Sequence, residues 1–269
     1  MSDLGAYTHG HHESVVAQHR KRNASEAAAF LLPHLRPGMR VLDVGCGPGS
    51  ITVGLAAAVA PGEVLGIDLS DDVIAQADAL AAEKQVTNVR FARGDVFVAS
   101  LSEAGFDVVY AHQVLQHLPR PVDALREMRR LLRPGGLVAV RDSDYGTCTW
   151  SPPDDRLGRW LALYHEVARR NGGEADAGRF LHGWVREAGL EVVRVSGTTW
   201  TFPGYDAVET WATSWAERTV RSNLGAKALE YGVATSAELE AIADGFRAWS
   251  RDPAAFFSIG HVEVLARRP

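Results

Sequence analysis

The segment Val41-Leu42-Asp43-Val44-Gly45-Cys46-Gly47-Pro48-Gly49 sets three glycines at alternate positions directly behind an apolar run and an acid. Glycine there lets a chain turn sharply out of a buried strand and bring backbone N–H groups close to a ligand with no side chain in the way. The spacing is G-x-G-x-G, not the G-x-G-x-x-G of a dinucleotide loop, and a tight strand-to-helix turn needs glycine for structural reasons alone. The neighbouring acids separate the two readings. Asp68 ends the next apolar run nineteen positions after Gly49, where a carboxylate can accept two hydrogen bonds from a ribose diol. Asp95 closes VRFARGD; alone it would be a helix cap. Together with the loop, Asp43, Asp68 and Asp95 mark the carboxyl ends of successive strands, where ligands bind in open α/β sheets.

Histidines form a second group. Tyr7-Thr8-His9-Gly10-His11-His12-Glu13 puts three of the chain's ten histidines within four positions. Zinc would need three or four well-spaced ligands, but His11 and His12 are adjacent and the two cysteines, Cys46 and Cys148, lie in other loops. No metal is expected. His117 follows the apolar run FDVVYAH, and Asp142 and Asp144 follow LVAVRDSD, all pointing toward the same end of a sheet. His117 is equally a helix-surface residue, and the two aspartates fit loop solvation or capping.

These residues need a scaffold, and the pattern supplies one. MRVLDVG, EVLGID, VRFARGD, FDVVYAH and LVAVRDSD are short, continuous apolar runs separated by helical patterns, as buried parallel strands are. Ser70 can cap a helix carrying Asp71 and Asp72 in its first turn and Ile74, Ala77 and Leu80 on one face. Pro121 opens another, with Val122, Leu125, Met128 and Leu131 on one face, which Arg133-Pro134-Gly135-Gly136 stops. After position 150, where all seven tryptophans lie, come two helical patterns, the strand EVVRVSGTTWTF, two more amphipathic helices and a last strand, FFSIGHVEVLA. The expected fold is α/β: a doubly wound, seven-stranded, mostly parallel sheet. No linker separates the halves, so residues 1–269 are expected to form one domain: an N-terminal helical cap (1–35), a ligand-binding core (36–142) and an acceptor-side region (143–269) with inserted helices and the last two strands.

At a formal net charge of −5 and pI near 6.1, the chain offers no basic field to nucleic acid or anionic lipid. No apolar run matches a membrane span or signal peptide, so a cytoplasmic location is expected. The sequence is similar to the class I S-adenosylmethionine-dependent methyltransferases over roughly residues 36–142. VLDVGCGPG resembles their first motif, GIDLS their acidic second and ARGDV their third, and FDVVYAHQVLQHL with ALREMRRLLRPGGLVAV resembles the strand, helix and turn that follow. Within them it looks most like the bacterial ubiquinone/menaquinone-type branch that acts on small molecules.

That resemblance implies a Rossmann-like methyltransferase fold binding S-adenosylmethionine. Gly45, Gly47 and Gly49 would cradle its methionine and ribose, Asp43 hold its amino group, and Asp68 bind both ribose hydroxyls. Leu69 would pack on adenine, Asp95 with Val96 would take the adenine amino group, and Gln113 would lie near the sulfonium. Tyr7 would cap the cofactor, and His12 and His117 are the catalytic candidates. The nucleic-acid branch carries D/N/S-P-P-aromatic after its fourth strand; here that place holds AHQVLQHL, and SPPD at 151–154 comes one strand late. A small, partly apolar acceptor under a lid of tryptophan-bearing helices is therefore expected. Two other readings are a non-catalytic or non-methylating scaffold that keeps the cofactor site, and an NAD-dependent oxidoreductase. The latter needs Tyr-x-x-x-Lys, and no tyrosine here has lysine four residues on.

Overall fold

β1 (Val41–Val44) is buried at every position, the condition that makes a strand continuously apolar rather than alternating. It pairs in parallel with β2 (Val64–Asp68) on one side and β4 (Phe106–His112) on the other. β3 (Val89–Arg93) lies outside β2, and β5 (Leu132–Ser151) outside β4. β7 (Phe256–Arg267) then inserts antiparallel between β5 and β6 (Glu191–Pro203), completing the order β3-β2-β1-β4-β5-β7-β6. The expected seven-stranded, mostly parallel sheet is present. Its strand order reverses between β1 and β4, so their carboxyl ends border the crevice. The computed structural model describes residues 19–97, 101 and 103–269; Tyr7 and His12 lie outside the described residues.

Both faces of the sheet are covered. Leu42, Val44, Val109, Val138 and Val140 pack against the helices Pro121–Leu131 and Ala177–Glu187. Val41, Val64, Val108, Tyr110 and Ala139 pack against Thr52–Val59 and the segment around Ala24–Ala27. Ser70 caps Asp71–Glu83 as the sequence predicts, accepting from Val73 N–H at 3.4 Å. The Arg133–Gly136 stop takes a different form. β5 begins at Leu132, opposite Phe106, and the register slips before resuming at Val108 and Leu137, with Gly135 at φ 77°. The breaker residues thus bulge within the strand instead of preceding it.

The second half builds its own core. Asp155–Arg170, Tyr205–Arg221, Asn223–Glu230 and Ser236–Trp249 are helices that gather around Trp160, whose ring lies 4.6 Å from Trp215, 5.3 Å from Phe246 and 5.9 Å from Trp211. Two helices are expected between β6 and β7; three occur. Ser222 adopts extended backbone (φ −96°, ψ 179°), ends one helix, and caps the next by accepting from Leu224 N–H at 3.2 Å. The capping box of Thr235 and Glu238 forms as the sequence predicts.

Candidate active site

Gly45, Gly47 and Gly49 take φ of 67°, 56° and 78°, the left-handed region that costs other residues most. A Cβ at Gly45 would lie 2.5 Å from Val114 Cγ2, and one at Gly49 would lie 2.9 Å from the Phe91 ring. Nothing lies within 4 Å of a Cβ at Gly47, so conformation alone calls for glycine there. The loop is clamped over β2: Gly45 and Cys46 N–H both donate to the Ile67 carbonyl, at 2.8 and 3.0 Å. Gly47 N–H donates to Asp68 Oδ2 at 3.1 Å, and Ser70 N–H donates to the other Asp68 oxygen at 3.2 Å. The second acid is thereby fixed against the loop.

Asp43 sits beneath, only 2% exposed, with Oδ2 accepting from the Thr52 hydroxyl at 2.6 Å. Burial pushes its carboxyl up to about 7; the Thr52 hydroxyl pulls it partly back and the Asp68 carboxylate adds a smaller rise. No cation among the described residues offsets it. Asp95 Oδ1 accepts from Phe97 N–H at 2.9 Å, the turn-capping geometry an aspartate at a strand end adopts.

Past β4 the chain turns at Gln113, φ 55°, whose N–H donates to the Arg141 carbonyl at 2.7 Å. Its side-chain oxygen accepts from Arg22 Nη2 at 2.6 Å, so its amide nitrogen donates to His261 Nε2 at 2.9 Å. The same logic fixes His117. Gln116 Oε1 accepts from the Ser143 hydroxyl and backbone N–H (2.5 and 3.2 Å), leaving its nitrogen to donate to His117 Nε2 at 3.0 Å. The network therefore assigns both imidazoles as neutral with the proton on Nδ1. Burial followed by Arg22 pushes His117 down to about 3; burial, Arg141 and Arg22 push His261 down to about 2.

His112, at the end of β4, is held the other way round. Arg141 Nη1 approaches its Nδ1 at 3.5 Å, the long limit of a hydrogen bond, which leaves the proton on Nε2. Burial, then Arg22 and Arg141, keep this ring well below the ordinary histidine range. Arg141 is itself anchored across the sheet. It is 1% exposed and donates to Glu263 on β7 (3.2 Å) and Thr198 on β6 (3.0 Å), while the Ser196 and Thr198 hydroxyls donate to Glu263.

The cavity continues from the glycine loop into an aromatic chamber walled by Tyr145, Trp160, Trp200, Trp211, Trp215 and Phe257, with Arg22 and Arg218 also on its surface. The Arg22 guanidinium lies 5.3 Å from the Trp200 ring centre and that of Arg218 5.2 Å from Trp215. Of the residues marked in the sequence, Asp43, Gly45, Gly47, Asp68, Leu69, Asp95, Val96, Gln113 and His117 line this cavity. Gly49 is not on its surface; it packs under the loop against Phe91 and Ala77. Asp142 and Asp144 do not line it either. Asp142 Oδ1 accepts from Gln116 N–H at 3.1 Å and so anchors the turn Leu115–His117, and Asp144 receives both arms of Arg179 at 2.6 and 2.8 Å. Among the described residues no cluster of His, Cys, Asp and Glu is arranged to hold a metal.

Sequence reasoning missed Arg22, Arg218, Tyr145 and His261. His261 had a signal: Phe257, Ile259 and His261 alternate along FFSIGHVEV, and all three line the cavity. Arg22 and Arg218 had none, since each is brought in by a loop or helix whose docking no local pattern encodes.

A family model described as a methyltransferase domain matches residues 35–181. A protein of Aspergillus luteorubrus named a probable methyltransferase is 30% identical over a match covering 97% of this chain and 96% of its own length. The 27-O-demethylrifamycin SV methyltransferase of Amycolatopsis mediterranei is 29% identical over 96% of this chain and 87% of its own. Among solved structures, geranyl diphosphate methyltransferase in complex with SAM matches with a TM-score of 0.55 at 19% identity, covering 95% of this chain and 89% of that one. The chain belongs to the methyltransferase domain family. It is an S-adenosylmethionine-dependent methyltransferase.

The residues present fit that cofactor. Asp43 is a buried carboxylate with no compensating cation among the described residues, facing a loop whose glycines keep the backbone bare; Asp68 is held by two backbone N–H groups beside it. An ammonium and a ribose diol are the complements of such a pair.

Proposed function

We propose that the enzyme methylates a small, partly apolar acceptor held in the aromatic chamber. The carrying observation is the single cavity that joins the acid-lined glycine loop to walls of tryptophan, tyrosine and phenylalanine. S-adenosylmethionine, when bound, supplies an electrophilic methyl group on a sulfonium. Asp43 holds its ammonium, Asp68 its ribose hydroxyls, Asp95 with Val96 its adenine amino group, and Leu69 flanks the ring. Gly45 and Gly47 keep the loop open for it, Gly49 lets the loop pack down on Phe91 and Ala77, and Gln113 stands beside the methionine end. The aromatic walls exclude water and align the acceptor, which is most of what an in-line displacement asks of a protein.

His117 has a specific part in this proposal. Gln116 engages its Nε2 lone pair, so the ring helps to shape the acceptor side of the cavity rather than acting as a base. Tyr7 and His12 are proposed to close the cofactor end, and deleting residues 1–13 tests them: unchanged cofactor affinity and turnover would rule both out. Flat aromatic surfaces suit a ring-bearing acceptor of the quinone or natural-product kind. No nucleic acid enters the proposal. A cytoplasmic site of action is part of the proposal; among the described residues no helix is long and apolar enough to cross a membrane.

The test has two arms. S-adenosylhomocysteine raises the Tm while NAD does not, and incubation with S-adenosylmethionine and metabolite extract yields a small molecule heavier by one methylene. Stabilisation by NAD, or cofactor binding with no methylated small molecule from any extract, overturns the reading in favour of an oxidoreductase or a scaffold.

A further inference from the structure

Three rings on the cavity wall bury a nitrogen that has no hydrogen-bond partner among the described residues: Trp160 Nε1, His261 Nδ1 and His112 Nε2. Buried polar atoms nearly always have one, so each asks for a reason. Trp160 has a local one. The Trp215 and Phe246 rings meet it edge to face, at 71° and 77°, and an aromatic face can accept weakly from an indole N–H. At His261 the Ile259 backbone already favours the ring proton. His112 has neither. Its neighbour Trp200 is tilted at 52° with ring centres 6.0 Å apart, and every charge acting on the imidazole disfavours a second proton there. The Arg141 guanidinium, which has only donors, faces Nδ1, so the orphaned Nε2 carries the proton. His112 is 6% exposed, which keeps bulk water from meeting that donor.

A lone N–H donor on the wall of a ligand cavity selects what lies against it. A hydrocarbon edge leaves it unmet, and a protonated amine brings only further donors. A carbonyl oxygen accepts without adding a donor of its own, whereas a hydroxyl adds one and a carboxylate carries the larger cost of burying charge. Building on the methyltransferase reading, we propose that the acceptor bears a neutral carbonyl oxygen on its apolar ring body and that His112 Nε2–H donates to it. The substrate class is then a ring ketone, and His112 is a specificity-determining residue. The unmet donor is a cost of the free enzyme that the correct acceptor removes, so one hydrogen bond discriminates against a hydrocarbon of the same shape. His112 also adjoins Gln113, which on that reading stands beside the methionine end, so an oxygen held at Nε2 sets the acceptor's reacting edge against the methyl donor.

The experiment is isothermal titration calorimetry of the full chain saturated with S-adenosylhomocysteine, using two ligands of matched shape, 1-tetralone and tetralin. Burial alone favours the hydrocarbon, which leaves water more readily. The wild type is nevertheless expected to bind the ketone about threefold tighter or more. His112→Phe should reverse the order, and His112→Gln, which keeps a donor, should retain more of the ketone preference than His112→Phe. In wild-type protein labelled with 15N-histidine, a buried imidazole N–H resonance should move downfield with 1-tetralone and stay in place with tetralin, a readout that stands even where a variant fails to fold. The Tm rise with S-adenosylhomocysteine is measured on every protein. If that rise is absent in the wild type, the methyltransferase reading fails. If it is present and tetralin binds as tightly as the ketone or tighter, neither binds, or His112→Phe leaves the ratio unchanged, the carbonyl inference alone is overturned.

Discussion

Replacing Asp43 by asparagine is expected to stabilise the free enzyme while disabling it. The Asp43 carboxyl, ordinarily near 3.8, is raised to about 7 in the folded chain, chiefly by burial. Below pH 3.8 both folded and unfolded chains carry it protonated, and it contributes no difference. As pH rises toward 7 the unfolded chain ionises first, the folded chain binds the extra proton, and stability falls. Above 7 the loss is complete at about 4 kcal/mol, at 1.36 kcal/mol per pKa unit. Asp43→Asn removes that penalty and keeps an oxygen for the Thr52 hydroxyl, but its amide nitrogen meets no evident acceptor, which returns about 1–3 kcal/mol. The net gain at pH 8 is about 1–3 kcal/mol, or roughly 2–4 °C in Tm per kcal/mol. The assay is thermal unfolding of both proteins from pH 4 to 8, with and without S-adenosylhomocysteine. The Tm advantage of the variant should grow between pH 4 and 7 and then level off. Wild-type affinity for S-adenosylhomocysteine should rise with pH through about 7, while that of the variant stays flat and roughly 10–100-fold weaker. A variant less stable than wild type at pH 8, or a Tm gap that does not change with pH, would refute the reasoning.

Gly45→Ala meets both a positive φ and Val114 Cγ2 at 2.5 Å, so it should lose about 1–3 kcal/mol and most of its response to S-adenosylhomocysteine; an unaltered thermal shift would count against the cradle. Arg141→Met alone strands Glu263 at 3% exposure and should cost about 3–5 kcal/mol in urea unfolding, whereas pairing it with Glu263→Met should recover much of that loss; additive losses would show the pair is not coupled. Trp160→Ala, at the fully buried centre of the helical core, should cost about 3–5 kcal/mol, measured the same way. With His117 at about 3 and His261 at about 2, kcat/KM should show no histidine inflection between pH 5 and 6.5; one that vanishes in His117→Gln would return that ring to the role of base.

The cofactor half of the site was legible because its chemistry lies in contiguous sequence. Strand, glycine loop and the acid ending the next strand are all short-range features, and the sheet brings Gly47 to Asp68 without any long-range choice. The acceptor half was not. Arg22 meets Trp200 across 178 positions, and Gln113 meets His261 across 148, through a strand inserted between β5 and β6. The tryptophans expected in a lid belong to core and cavity at once. Trp160, Trp211 and Trp215 are at most 5% exposed and also line the cavity, because the helices that bury them put one edge of their core against it. Asp142 fits loop solvation or capping in the sequence, and its oxygen does hold the backbone of the His117 turn. Composition does not distinguish a carboxylate that meets substrate from one that caps a turn.

The central claim is that one cavity holds the methyl donor at Asp43 and Asp68 and a small acceptor among the aromatic residues. It is tested most directly with S-adenosylmethionine carrying a deuterated methyl group, incubated with metabolite extract and either wild-type enzyme or Asp68→Asn, followed by mass spectrometry of small molecules and macromolecules. The account predicts labelled methyl on a small molecule, formed together with S-adenosylhomocysteine and strongly reduced in the variant. Label found only on protein or nucleic acid, or a product formed equally well by Asp68→Asn, would contradict it.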